Sequence, residues 1–192
     1  MITIIVISNQ LNLVILIVKN KSRGENIMIK GIVCVDKNWA IGKDNDLLFK
    51  LSKDMQFFKE TTLNHIVFCG RKTLESFPKS KPLPKRSTIC LCSPQYNRDD
   101  CYCINSIEDA IKLIKELAKT QTVFVIGGAT LYKTMLPYYD EIYVTKVDAD
   151  GEGTAFFPNL TELPEFELVN QSETFSEADY RFSFCTYKKV GC

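Results

Sequence analysis

The chain has 192 residues, 45% of them apolar, with 12 Phe and 8 Tyr, which is enough for one core with room for a ligand cleft. Lys and Arg total 24 and Asp and Glu 23, so the net charge is +1 and nothing pushes toward nucleic acid or an anionic membrane. Mixed charge, nine Gly and seven Pro exclude a disordered chain.

Residues 1–18 read MITIIVISNQLNLVILIV, followed by Lys19, Lys21 and Arg23. A signal peptide begins with positive charge and ends at a small-residue cleavage site, and this segment has neither. A membrane span needs about 20 predominantly apolar residues, and Ser8, Asn9, Gln10 and Asn12 interrupt this run. Three readings stand. The native start is Met28, because Arg23-Gly24-Glu25 can be encoded by a purine-rich stretch that recruits bacterial ribosomes. Or the segment anchors the chain, with its basic residues on the cytoplasmic side. Or it is a structural extension, such as an extra strand or an aggregation-prone tail. The chain divides accordingly into a hydrophobic extension, 1–27, and a domain, 28–192.

Residues 29–35 form a short apolar run and predict a buried strand. Residues 36–48 read as a loop, with Asn38, Gly42, Asp44 and Asn45. A helix is predicted over 51–62, a strand over 66–69, and a short helix over 71–77. Two prolines make 79–85 a loop, and 87–92 reads as a strand. Ser106 and Asp109 form a capping pattern, and Ile107, Ala110, Ile111, Ile114 and Leu117 then recur at helical spacing. A strand over 122–126, a Gly127-Gly128 turn and a helix over 129–136 follow. Later strands are read at 141–147, 165–170 and 181–188, and there is no internal repeat or low-complexity linker. Strand–helix alternation followed by terminal strands implies an α/β fold, mostly parallel, with helices on both faces.

The eight cysteines are Cys34, Cys69, Cys90, Cys92, Cys101, Cys103, Cys185 and Cys192. Several lie in strand-like runs, no C-x-x-C pair occurs, and His65 is the single histidine. Reduced, mostly buried thiols in a cytoplasmic protein are expected, with no metal site.

At about 100° per residue, Leu51, Met55, Phe57 and Phe58 share one arc of the first helix, and Asp54 falls inside it. A carboxylate among apolar side chains is costly unless paired. Burial would raise its pKa, and a bound cationic or amidine-like group would lower it, as in recognition of an aminopyrimidine edge. The plainer account is that Asp54 favours the positive end of its helix. Two strand ends could receive a nucleotide. In Gly70-Arg71-Lys72-Thr73, the glycine permits a sharp turn and the cations suit a 2′-phosphate, favouring NADP over NAD. In Ile126-Gly127-Gly128-Ala129-Thr130, paired glycines allow close backbone approach to a pyrophosphate. Neither is a G-x-G-x-x-G fingerprint, and a glycine packing helix against strand is the plainer account of each turn.

Taken in order, these segments resemble dihydrofolate reductase. The matching stretches are Ile41-Gly42 with Asn45; Asp54 through Phe57-Phe58-Lys59; Gly70-Arg71-Lys72-Thr73 with Glu75-Ser76; Pro82-Leu83-Pro84 with Arg86; Ile126-Gly127-Gly128 with Tyr132; and Thr145, Asp148 and Phe157-Pro158. The resemblance runs from about Met28 to the C-terminus. It implies a three-layer sandwich on a central, mostly parallel sheet of about eight strands, the last antiparallel.

The implied reaction is NADPH-dependent reduction of 7,8-dihydrofolate to tetrahydrofolate, in one-carbon metabolism, by a cytoplasmic monomer open to antifolates. The implied catalytic set is Leu47, Asp54 and Thr145, with Asp54 gripping the pterin and Thr145 orienting it. Substrate contacts carried over are Ile32, Val33, Asp54, Met55, Phe58, Leu83, Arg86, Ile126 and Thr145. Of these, Arg86 would pair with the folate α-carboxylate, and Ile32 and Ile126 would offer carbonyls. Cys34, Ile41 and Asn45 would approach the nicotinamide. Gly70, Arg71, Lys72, Thr73, Ser76, Leu91, Cys92 and Ser93 would line the phosphate and adenosine side. Ile126, Gly127, Gly128, Ala129, Thr130, Leu131 and Tyr132 would follow the pyrophosphate.

Two departures stand out. Leu48-Phe49 replaces the usual Pro-Trp, which removes an indole N–H, and Thr154 stands where bacterial members often carry an acid. Other readings share parts of the pattern. A riboflavin-pathway pyrimidine reductase lacks a use for Arg86. A catalytically dead pterin- or nucleotide-binding module would not oxidise NADPH. An interaction protein tethered through residues 1–18 would fractionate with membranes.

Overall fold

A computed structural model describes residues 2–9, 12–19 and 28–191. Strands β1 (Ile2–Asn9) and β2 (Asn12–Lys19) pair antiparallel in a two-stranded sheet of their own. The readings of 1–27 also fall on residues 1, 10, 11 and 20–27, which lie outside the described residues.

From Met28 the chain builds β3 (Ile29–Val35), β4 (Ala40–Lys43), β5 (Asp46–Leu47), α1 (Ser52–Thr62), β6 (Ile66–Gly70), α2 (Arg71–Ser76), β7 (Ser87–Leu91) and β8 (Tyr102–Ile104). There follow α3 (Ile107–Leu117), β9 (Val123–Val125), α4 (Ala129–Met135), β10 (Glu141–Val147), β11 (Ala155–Phe156), β12 (Phe166–Gln171), β13 (Phe175–Glu177) and β14 (Tyr180–Lys189). Nine strands form the main sheet, in the order β12-β14-β10-β3-β9-β6-β7-β8 with β13 also paired to β14. The run from β10 to β8 is parallel, and β14 enters antiparallel to β10. The expected α/β class, parallel majority and antiparallel last strand are all present.

The central strands are apolar at nearly every position because both faces are covered. Ala110, Ile114 and Leu117 of α3 and Leu131 and Met135 of α4 pack with Val33, Val35 and Ile142. Leu74 of α2 and Phe57 and Phe58 of α1 pack with Ile32, Val67, Cys69 and Phe124. Successive strand side chains point to opposite faces, so Ile32 and Val33 serve different layers. The capping pattern forms as read: Ser106 Oγ accepts from Asp109 N at 3.2 Å.

Residues 36–48 are not a simple loop. They contain β4 and β5, which join β11 in a three-stranded sheet. The partner strand lies more than a hundred residues away, so no local pattern announced the pairing. Asp36 organises this corner. It is fully buried, and it accepts from Asn38 N at 2.7 Å, Ala40 N at 2.8 Å and Gly151 N at 3.1 Å. Gly153 lets the two segments meet: a Cβ there would lie 2.5 Å from that of Ala40. The short strands β8 and β13 were also unread, since three residues carry no period.

Candidate active site

Helix α1 begins one residue later than predicted, with buried Leu51 as its extended N-cap. Asp54 is in the first turn. Burial pushes its carboxyl above the usual carboxylate range, the Thr145 hydroxyl that hydrogen-bonds it pulls the other way, and the nearby Glu177 charge raises it again. Thr145 sits on β10, 2% exposed, between Cys34 of β3 and Phe184 of β14 in the ladder. Burial, and then the charge of Asp54, push the Cys34 thiol and the Tyr132 phenol upward. Cys34, Ile41, Leu47, Leu48, Phe49 and Asp54 line a small cleft that opens to solvent.

The remaining substrate-side positions surround α1. Phe58 and Leu83 are half-buried against the same core layer as Ile32 and Ile126. Met55 departs from the buried arc read in the sequence: it is 50% exposed, because nothing covers that side of the first turn. Val33 faces the opposite layer, so only its backbone is on the cleft side. Arg86 is no loose surface cation. Its Nε donates to Thr62 Oγ1 at 2.9 Å, Nη1 to Pro84 O at 2.9 Å and Nη2 to Lys59 O at 3.1 Å. Its guanidinium lies 6.0 Å from the Phe58 ring centroid, and partial burial lowers its pKa. Three of its five N–H groups are thus engaged, leaving one on each terminal nitrogen.

A second cluster forms where β6 and β9 end. Gly70 N donates to Gly127 O at 2.8 Å, tying the two glycine turns together. Gly127 has φ +119°, and a Cβ on it would lie 3.4 Å from both Thr73 Oγ1 and the Tyr132 ring. A Cβ on Gly128 would also lie 3.4 Å from Thr73 Oγ1. Only glycine leaves this cradle open. Arg71 and Lys72 are exposed beside it, and Arg71 stacks on Tyr96 at 5.5 Å and pairs with Glu75 at 3.5 Å. Asn45 Nδ2 reaches Lys72 O at 3.3 Å, which brings the β4–β5 turn to the cluster. Leu91 is half-buried, Cys92 is buried and Ser93 is exposed at the end of β7. Ser76 spends its hydroxyl proton on Thr73 O at 2.7 Å.

Ala129 and Thr130 open α4 toward solvent, whereas Leu131 and Tyr132 turn into the core. For Tyr132, the core reading of the sequence holds. It is a core aromatic, and its hydroxyl donates to Ile32 O at 2.7 Å. An open glycine cradle flanked by two cations is a donor set that fits a dinucleotide carrying an extra phosphate. Among the described residues no group of three or more His, Cys, Asp or Glu could hold a metal ion. Of the seven described cysteines five are buried, and Cys192 lies outside the described residues.

The family model for dihydrofolate reductase matches residues 28–189. The chain belongs to the dihydrofolate reductase family. Dihydrofolate reductase of Bacillus subtilis is 37% identical over 165 residues, covering 84% of this chain and 95% of the relative. That of Staphylococcus haemolyticus is 39% identical over 166 residues, covering 85% and 97%. Among solved structures, dihydrofolate reductase from Enterococcus faecalis complexed with NADP(H) and RAB-propyl superposes with a TM-score of 0.76, at 30% identity, covering 86% of this chain and 98% of that one.

Within this dihydrofolate reductase fold, the two departures have definite surroundings. Phe49 is buried and meets Tyr180 edge-on at 4.9 Å, so an aromatic contact replaces the indole. The Thr154 side chain is exposed, and it is the backbone of Thr154 that braces the loop, donating to Gly42 O at 2.9 Å. Sequence reasoning missed Glu177, whose carboxylate reaches α1 from β13. An acid in a short hairpin carries no local signal of a partner 125 residues away.

Proposed function

We propose that Asp54 is the acid of an NADPH-dependent reduction of 7,8-dihydrofolate to 5,6,7,8-tetrahydrofolate, gripping the pterin with Thr145 behind it. The observation that carries this reading is a carboxyl held by one hydroxyl in an otherwise apolar cleft, with its pKa raised by burial. Such a group binds an amidine-like ring edge and holds its proton more tightly than an exposed carboxyl.

When bound, NADPH supplies the hydride that adds at C6. The chain does the rest. The Gly127-Gly128 cradle with Thr73 admits the pyrophosphate, while Arg71 and Lys72, with Ser76 and Ser93 nearby, take the remaining phosphate. Gly70, Leu91, Cys92, Ala129, Thr130 and Leu131 shape the wall between. Cys34, Ile41 and Asn45 border the nicotinamide side. Ile32 and Ile126 offer backbone carbonyls to the pterin, and Val33 contributes backbone. Leu47, Met55, Phe58 and Leu83 exclude water around the rings. Arg86 presents its two remaining N–H groups to the α-carboxylate as a bidentate pair. The proton reaches N5 through water, with Asp54 setting its availability.

The catalytic unit is residues 28–192, acting as a cytoplasmic monomer that antifolates with a flat, protonated heterocycle inhibit. Buried thiols such as Cys69 and Cys90 support the cytoplasmic reading. The test is Asp54→Asn, assayed by NADPH oxidation with dihydrofolate in the full chain and in a form starting at Met28. Turnover near pH 7 should fall by about a hundredfold or more, and acid should partly restore it by protonating substrate in solution. Wild-type turnover at pH 7 would refute the assignment.

A further inference from the structure

Helix α1 carries Asp54 but has no cap of its own. Leu51 occupies the N-cap position and makes no side-chain bond to the first turn. Free amides at a helix start need acceptors. Here two of them are met from the far end of the chain: Ser52 N donates to Glu177 Oε1 at 2.5 Å and Lys53 N to Glu177 Oε2 at 3.1 Å. The same hairpin closes on α1 and on the segment before it. Lys53 Nζ lies 4.3 Å from the Phe175 ring centroid, Phe57 packs on Phe184 at 4.6 Å, and Phe49 meets Tyr180.

We propose that Glu177 is a positioning residue for the active-site acid: it caps α1 from strand β13, so that the C-terminal hairpin fixes where Asp54 stands and sets its charge environment. This rests on the reading of Asp54 as the acid. The carboxylate of Glu177 is held ionised by the amides of Ser52 and Lys53. Its negative charge then acts on the carboxyl of Asp54, two and one residues beyond the amides it binds. The other groups facing Asp54 are the Thr145 hydroxyl from β10, the Cys34 thiol from β3 and the Tyr132 phenol from α4. The charge of Lys53 is drawn onto Phe175, and Lys50 pairs with Asp46. Among these groups, Glu177 is the fixed anion.

Glu177→Gln keeps the size and one acceptor but removes the charge. Glu177→Ala removes both. In the full chain, the Asp54 carboxyl is followed by carbon-13 NMR, its resonance assigned with Asp54→Asn, alongside pH profiles of kcat/KM. Both variants should lower the Asp54 titration midpoint by a few tenths of a pH unit and move the profile with it. The Ala variant should also lose a few-fold in kcat, and Glu177→Asp should recover part of each effect. A helix cap of purely structural importance would lower stability without moving the titration, and that outcome overturns the proposal, as does full overlay of the Gln variant on wild type. If the Ala variant fails to fold, the Gln titration still decides. If the resonance moves but Asp54→Asn keeps full activity, Glu177 still positions Asp54 and the acid assignment is what fails.

Discussion

The hydroxyl of Tyr132 donates to the carbonyl of Ile32 at 2.7 Å, in the core and across 100 residues of sequence. The bond joins α4, which follows the glycine cradle, to β3, which borders the acid cleft. One buried contact thus ties the glycine cradle to the cleft that holds Asp54. Tyr132→Phe keeps the ring but leaves that carbonyl without its donor. Removing one partner of a buried hydrogen bond costs about 1–2 kcal/mol. The urea midpoint should fall accordingly with an unchanged m-value, and an unaltered midpoint would count against the bond.

Asp54 makes the protein less stable than it could be. Its folded pKa lies above the unfolded value because of burial, so the native state binds more protons between the two. Stability is therefore full below the unfolded carboxylate value and is lost as pH rises through the folded one. Asp54→Asn should melt higher than wild type at pH 7, and the gap should close at low pH. A variant that melts lower at neutral pH would show that the carboxylate is stabilised where it sits.

Arg86→Lys should separate anchoring from chemistry. Lysine cannot hold Thr62, Pro84 and Lys59 while presenting a fork to a carboxylate. Losing a bidentate pair worth about 2 kcal/mol raises the KM for dihydrofolate roughly thirtyfold with kcat little changed. A reducible pterin without the glutamate tail should show no such penalty. Equal losses with both substrates would mean that Arg86 matters only to the fold.

Asp36 is buried and accepts from three backbone amides at the corner that carries β4. Asp36→Ala should cost about 3 kcal/mol or more, since three amides lose a charged acceptor together. Asp36→Asn should lie between, because one carbonyl oxygen remains. Hydrogen exchange should show Ala40 and Gly151 amides opening first. Protection there equal to wild type would contradict this role.

Much of the fold could be read along the chain. The apolar runs of β3, β6, β7, β9 and β10 were legible because strands covered on both faces need no polar alternation. Helix α3 was legible because its cap and its stripe are both local. The glycine turns and Arg71 were legible for the same reason. What escaped were elements whose cause lies elsewhere. Strands β4, β5 and β11 exist only by mutual pairing, and β13 exists only against β14.

Asp54 shows the division most clearly. The sequence by itself placed a carboxylate in the first turn of a helix with Phe57 and Phe58, and local spacing sufficed for that. It could equally have been a helix-dipole residue. Only the tertiary structure brought Thr145 from β10 and Glu177 from β13 to it, left Met55 half-exposed and shut Phe49 against Tyr180. Spacing along a chain sets which residues share an element. Burial, charge environment and long-range acceptors arise only when distant elements pack.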